Sequence, residues 1–100
     1  MAFKLTFSTE ARQQLHDLEH DEDKKDLQKL KRVRKCLGLL ENDPRHSGLN
    51  SHKHSELQGA NKEDLWESYV ENNTPSAWRV FWHYGPGKGV ITIVAITPHP

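Results

Sequence analysis

The chain has 100 residues, 14 of them basic and 14 acidic, so its formal net charge of zero does not mark it as a nucleic-acid-binding protein. Its length predicts a single domain, residues 1–100, with a modest core. No stretch approaches the roughly 20 apolar residues of a membrane span. The start lacks an apolar segment for export, and the single Cys36 excludes an internal disulfide, so we expect a cytoplasmic protein without membrane association.

The first residues predict a strand followed by a helix. Apolar and polar side chains alternate from Phe3 to Phe7, which is typical of a short strand. Ser8 or Thr9 can then cap a helix, and Glu10 in its first turn interacts favourably with the helix dipole. Apolar residues at helical spacing extend this helix to about Glu19.

A second helix is predicted to be the longest element of the chain. Its apolar stripe requires a partner surface, and the helix ends near Asn42 because Pro44 cannot continue it. The segment from Asp43 to Asp64 is then predicted to be a long loop, and loops of this length often carry function. The stripe consists of Leu27, Leu30, Val33, Leu37 and Leu40.

The second half predicts three consecutive antiparallel strands, because aromatic and β-branched runs are separated by Asn, Pro and Gly. The element order β-α-α-β-β-β predicts an α+β fold, with a two-helix hairpin packed on one face of an antiparallel sheet. The three runs are Leu65–Val70, Ala77–Tyr84 and Val90–Thr97.

Side chains alternate between the two faces of a strand, which divides the middle run into two sets. Arg79, Phe81 and His83 share one face, where a cation and an imidazole on a mostly apolar sheet indicate a site. Tyr69 and Glu67 of the preceding run fall on the same face as Arg79. The other set is predicted to be core and consists of Trp78, Val80, Trp82 and Tyr84.

Five short segments, in their order and spacing, resemble the RelE/ParE superfamily of bacterial type II toxin–antitoxin toxins. The resemblance covers nearly the whole chain and implies a RelE-like, microbial-ribonuclease-type fold and neutralisation by a cognate antitoxin. RelE-like members cut mRNA in the ribosomal A site without a metal, whereas ParE-like members inhibit DNA gyrase. The segments are Phe7–Ala11, Leu57–Gly59, Leu65–Val70, Ala77–Trp82 and Ile93–His99.

The resemblance therefore implies a toxin that acts as a ribosome-dependent mRNA endoribonuclease, with no cofactor and no metal. Two alternatives stay open: a ParE-like inhibitor of DNA gyrase, and a catalytically inactive relative that acts only through its antitoxin. The expected partners are the antitoxin and either mRNA on the ribosome or gyrase. Cations on the second helix, at Lys31, Arg34 and Lys35, are predicted to face acidic side chains of the antitoxin.

Four residues are candidates for catalysis. Arg79 matches the family's strand arginine, and a guanidinium suits the charge that develops on a phosphate under attack; a structural ion pair with Glu67 is the alternative. His99 matches a catalytic position after the last strand, although it could equally belong to a frayed terminus. His83 lies about 13 Å from Arg79 along the strand and can flank the same nucleotide. Lys53 could contact phosphate or neutralise the leaving oxygen.

Five further residues are candidates for RNA binding: Tyr69, Glu67, His52, His54 and Arg45. Tyr69 can stack on a base, which is how single-stranded RNA is usually held. The pattern His52-x-His54 could instead bind zinc, but a zinc site needs four ligands and Cys36 lies on a helix, so no metal is expected. A solvated polar loop is the plainest interpretation of this segment.

Overall fold

The computed structural model of the chain describes residues 2–20, 24–71 and 77–98, without the side chains of residues 24–26 and 55. These parts contain five strands, two α-helices and a short 3₁₀ helix. In chain order they are β1 (Lys4–Phe7), α1 (Thr9–Glu19), α2 (Lys24–Asn42), the 3₁₀ helix (Ser47–Leu49), β2 (His52–Gln58), β3 (Asp64–Tyr69), β4 (Trp78–Tyr84) and β5 (Val90–Pro98).

The strands form one sheet in the order β1-β5-β4-β3-β2. β3, β4 and β5 pair antiparallel in chain order, which confirms the predicted meander. β1 lies parallel to β5, so the sheet is mixed rather than wholly antiparallel. After the helices the chain enters the sheet at its far edge with β2, and the antiparallel steps that follow bring β5 beside β1 in the same direction.

The long loop predicted after α2 contains the 3₁₀ helix and β2, so that prediction is wrong. The sequence of β2 is polar and has little strand propensity, and pairing with β3 decides its conformation. His52 pairs with Glu67 and Lys53 with Trp66, and the register then shifts before the end of the strand. An irregular, polar strand is typical of a sheet edge, where it limits pairing with other chains.

The two helices pack on one face of the sheet, and the core lies between these layers. Leu27, near the start of α2, is 45% exposed, so the prediction that a partner surface covers the whole stripe is wrong at this end. The other four stripe residues are buried as predicted: Leu30, Val33, Leu37 and Leu40. They belong to one cluster with strand residues Val80, Trp82, Ile91, Ile93 and Ile96. None of the helices in the described residues is both long enough and apolar enough to cross a membrane.

Of the two predicted helix caps, Ser8 is the one used. Its hydroxyl accepts a hydrogen bond from the Ala11 N–H at 3.0 Å, and α1 ends at Glu19 as predicted. The same hydroxyl donates to the Val94 carbonyl at 2.7 Å, which ties the start of α1 to β5. The predicted end of α2 at Asn42 is also confirmed.

Alternation along β4 places the predicted core set on the helix side of the sheet. Val80 and Trp82 are buried there, and Trp78 is half-buried. Tyr84 is 42% exposed, so its assignment to the core is wrong. It is the last residue of β4, where the chain turns away at Gly85, whose φ of 89° is in the left-handed region that favours glycine.

Candidate functional site

The sheet face turned away from the helices carries a compact group of polar side chains. Glu67 and Tyr69 of β3 share this face with Arg79 of β4, as predicted from strand alternation. Tyr69 lies opposite Arg79 in the register, Glu67 is two residues further along β3, and His52 of β2 lies opposite Glu67. We refer to Arg79, Glu67, Tyr69 and His52 as the Arg79 cluster.

A buried ion pair forms the base of the Arg79 cluster. The Nε of Arg79 lies 3.2 Å from Oε1 of Glu67, and the two side chains are only 6% and 2% exposed. The guanidinium also donates to the backbone carbonyls of Trp78 at 3.1 Å and Glu71 at 3.3 Å. It stacks on the Tyr69 ring, 3.8 Å from the ring centroid. The alternative weighed from the sequence, a cross-strand pair of Arg79 with Glu67, is therefore present.

His52 forms the open rim of the Arg79 cluster. Its Nε2 lies 3.6 Å from Oε2 of Glu67, and its side chain is 49% exposed. Its Nδ1 lies 3.3 Å from the Asn50 carbonyl, and the ring meets Tyr69 edge-on with centroids 5.8 Å apart. Both ring nitrogens thus face acceptors, which hold the imidazole in one orientation at the edge of a buried carboxylate.

His83 lies further along β4 on the same face and is buried. Its Nδ1 is 2.9 Å from the Tyr84 carbonyl, and its Nε2 is 3.6 Å from Oε2 of Glu63. Backbone N–H groups of Glu63 itself and of Asn61 lower the pKa of the Glu63 carboxyl, with a smaller contribution from the charge of His83. His83 is therefore a buried side chain held between a carbonyl and a carboxylate.

The remaining predicted residues are divided between the two sides of the sheet. His54 lies on the face of the Arg79 cluster, with its ring 6.2 Å from that of Phe81. Lys53 points to the other side, where it pairs with Asp64 at 3.4 Å and lies over the Trp66 ring. The predicted grouping of Lys53 with Arg79 is therefore wrong, because adjacent residues of a strand face opposite ways.

Arg45 also lies away from the Arg79 cluster. It lines a cleft on the helix side of the sheet together with Trp66, Trp82 and Tyr84. Arg45 is therefore separated from the other four RNA-binding candidates, because the segment that follows α2 lies on the helix side before the chain enters β2. His99, the fourth catalytic candidate, lies outside the described residues.

Two residues that support the site were not predicted, namely Glu63 and Asn50. Glu63 holds His83 from the turn before β3, and Asn50 supplies a backbone carbonyl to His52. A backbone carbonyl has no sequence signal, because every residue carries one. Asn50 does carry a weak sequence signal, because asparagine is enriched in the left-handed conformation. Asn50 adopts this conformation, with a φ of 47°.

Comparisons with known proteins show likeness in structure and not in sequence. The chain matches no protein-family model and no curated protein. It is similar to RelE in an archaeal RelE–RelB complex from Pyrococcus horikoshii, with 18% identity, a TM-score of 0.64, and coverage of 98% of this chain and 96% of that one. It is also similar to a YoeB/ParE toxin from Agrobacterium tumefaciens, with 8% identity, a TM-score of 0.70, and coverage of 97% and 99%.

A YoeB dimer from Staphylococcus aureus gives a comparable match over both complete chains, with 13% identity, a TM-score of 0.70 and coverage of 100% of each. At these identities the likeness concerns the fold: two helices packed on one face of a sheet whose antiparallel strands carry the Arg79 cluster on the other face. The chain therefore has the fold of the RelE/ParE superfamily of toxins, as the sequence resemblance implied.

Proposed function

We propose that this chain is the toxin of a type II toxin–antitoxin system and that it inhibits translation by cutting mRNA on the ribosome. Its fold, which it shares with RelE and YoeB, supports the toxin assignment. The observation that carries the ribonuclease assignment is the Arg79 cluster. It brings a guanidinium, a carboxylate, a half-exposed imidazole and a phenol ring together on an open sheet face.

The proposed reaction follows the metal-free route that the family resemblance implies. The 2′-hydroxyl loses its proton and its oxygen bonds to the adjacent phosphorus, while the bond to the 5′-oxygen breaks and that oxygen gains a proton. His52 is the group best placed to move a proton, because its ring is half-exposed and is oriented by Glu67 at 3.6 Å and the Asn50 carbonyl at 3.3 Å.

Arg79 lies below His52 and acts through its charge rather than by direct contact with the phosphate, because it is buried and already paired with Glu67. Its positive charge compensates the Glu67 carboxylate, which reduces the repulsion between that carboxylate and a phosphate placed against His52. One face of the Tyr69 ring is occupied by the guanidinium at 3.8 Å, so a base would stack on the other face. His54 extends the same surface, and His99 remains the second candidate for proton transfer.

A non-catalytic role is the alternative that one observation favours. The Arg79 guanidinium is committed to Glu67, Tyr69 and two backbone carbonyls, as a structural arginine would be. A ParE-like gyrase inhibitor, or an inactive relative that only binds its antitoxin, would need no open guanidinium. The experiment below separates these possibilities.

We also propose a cognate antitoxin as the protein partner. One of the similar structures is RelE in a complex with RelB, which supports a partner of this kind. Helix α2 presents Lys31, Arg34 and Lys35 as exposed cations, and Arg34 already donates to the Glu19 carboxylate at 3.2 Å. An antitoxin segment with acidic side chains would complement this surface.

Inducing the chain alone in bacteria is expected to arrest growth, and primer extension is expected to reveal new cuts in translated mRNA. Replacing His52→Asn should lower cleavage on purified ribosomes at least about 100-fold, because acid–base catalysis contributes roughly 10²–10⁴ in rate. The matched control is His16→Asn, which makes the same chemical change at an exposed histidine on α1 and should retain cleavage within a few-fold.

Three results would redirect the assignment. Equal losses in the two histidine variants would show that His52 has no special role. Growth arrest with intact mRNA and blocked gyrase supercoiling would establish the ParE-like alternative. Soluble, folded protein without any growth effect would establish the inactive relative.

A further inference from the structure

We infer that a second site, on the opposite side of the sheet from the Arg79 cluster, binds the base and phosphate of a nucleotide. This inference goes beyond the proposed cleavage and does not depend on it. The site is a cleft of about 690 Å³ between the segment that follows α2 and the strands β3 and β4. We refer to it as the tryptophan cleft, after Trp66 and Trp82 in its lining.

The aromatic side chains of the tryptophan cleft form a stacking platform. The rings of Trp66 and Trp82 lie nearly parallel, with centroids 5.7 Å apart and an angle of 17°. Tyr84 meets Trp82 edge-on at 5.0 Å and is 42% exposed. Trp82 is fully buried and its indole N–H donates to the Ser68 hydroxyl at 2.7 Å, so it supports Trp66 from within the core. The surface open to a ligand comes from half-buried Trp66 and exposed Tyr84. Such a platform suits a flat aromatic ligand.

The rim of the tryptophan cleft supplies positive charge. Arg45 is exposed, and its backbone N–H donates to the Asp43 carboxylate at 3.0 Å, which fixes the position of its chain segment. Among the described residues no carboxylate lies within ion-pair distance of the Arg45 guanidinium, and none of the residues that line the cleft is acidic. An exposed guanidinium without a counter-charge is suited to a phosphate.

His46 adds a second donor beside Arg45. Its Nδ1 accepts a hydrogen bond from the Gly48 N–H at 2.9 Å, so the neutral ring carries its proton on Nε2. The cleft therefore combines a flat apolar platform with two donors for an anion, and a nucleotide has both matching parts. A volume of about 690 Å³ falls in the range of small-molecule sites, and it accommodates one nucleotide, either free or as one unit of single-stranded RNA.

Tryptophan fluorescence tests the site directly, in a Trp78→Phe background that leaves the two cleft tryptophans as the only ones. We expect AMP to quench this fluorescence and adenosine to bind more weakly. Arg45→Gln should weaken AMP binding about tenfold while leaving adenosine unchanged, since hydrogen bonds to charged groups contribute this much. Tyr84→Ser should weaken both ligands about fivefold or more. Arg12→Gln on α1 is the matched charge control and should have no effect.

A pentaribonucleotide distinguishes the two sources of the nucleotide. If the pentamer binds ten times more tightly than AMP, and Arg45→Gln weakens its binding by the same factor as that of AMP, the cleft binds an RNA strand. If the pentamer and AMP bind with equal affinity, the cleft binds free nucleotide. Either result supports the inference whether or not the protein cleaves mRNA. No quenching by AMP or the pentamer at millimolar concentration, or quenching that is insensitive to Arg45→Gln and Tyr84→Ser, would overturn it. Binding of N-acetyltryptophanamide but not AMP would indicate an apolar peptide partner and would also overturn it.

Discussion

At the scale of single residues, the buried pair of Arg79 and Glu67 decides how the candidate site works. A charge with little exposure is tolerated only when it is compensated, and here each side chain compensates the other. The pairing leaves His52 as the half-exposed group of the cluster. The Arg79 guanidinium therefore lies beneath the rim of the cluster, and the His52 imidazole faces the solution.

The Arg79–Glu67 pair can be tested by removing one partner and then both. Arg79→Ala should destabilise the fold by about 3 kcal/mol, because it removes the guanidinium that compensates the buried Glu67 carboxylate. The double variant Arg79→Met with Glu67→Leu should recover most of that stability, since apolar side chains of similar size can replace a buried pair. Urea unfolding measures both. Cleavage should be absent from the two variants, and a double variant that cuts at the wild-type rate would show that the pair is structural only.

Glu63 gives a pH-dependent prediction. Its pKa is lowered in the folded protein, so its charge contributes stability that is present above its unfolded pKa and is lost as the pH falls through the folded value. The wild type should melt at a higher temperature than Glu63→Gln at pH 7, and the gap should close as the pH falls below about 4. Melting from pH 7 to pH 3 tests this. Glu56→Gln on β2 is the control, and a gap that does not narrow as the pH falls would contradict the stated cause.

At the scale of elements, α2 shows that the position of a leucine along a helix decides how far its side chain is buried. Leu40 is fully buried near its end, whereas Leu27 near its start is 45% exposed. Both fit the same apolar periodicity. The difference arises because only part of the helix stripe is covered by the sheet.

Leu40→Ala and Leu27→Ala form a matched pair on this helix. Leu40→Ala should lower the free energy of unfolding by about 2–5 kcal/mol, because it removes buried apolar atoms and leaves a cavity. Leu27→Ala should change it by no more than about 0.5 kcal/mol. Chemical unfolding of the two variants against the wild type measures the difference, and equal effects would contradict the described packing of α2.

At the scale of the whole molecule, the sheet order determines where a partner can be detected. β4 lies between β3 and β5, so its amides are already hydrogen-bonded in the free protein. β2 is an edge strand next to the Arg79 cluster and carries His52 at its start. A partner that covers the cluster must therefore also cover this edge.

Amide exchange of the protein with and without the product of a neighbouring antitoxin reading frame tests this expectation. New protection should appear in β2 and α2, and it should weaken with salt where Lys31, Arg34 and Lys35 contact acidic side chains. β4 should change little, because its exchange is slow in both states. Protection confined to α1 and β1 would show that the partner leaves the Arg79 cluster open.

The sequence by itself determined the helices and the central strands, because these elements have strong local signals. Helical spacing, the Ser8 cap and Pro44 set the limits of α1 and α2, and alternation in β4 placed Arg79 on the face opposite Val80. The same alternation grouped Arg79 with Tyr69 and Glu67. Only the last of these inferences depended on which strands are neighbours, and the predicted meander supplied that order.

Tertiary structure alone decided β2, the direction of β1 and the members of each site. The residues of β2 have weak strand propensity, so their conformation comes from pairing with β3. That pairing turns His52 toward Glu67 and Lys53 away from it, which the sequence could not specify while the segment was predicted to be a loop. The physical reason is that long-range pairing, and not local periodicity, selects which side chains of an edge strand face a site.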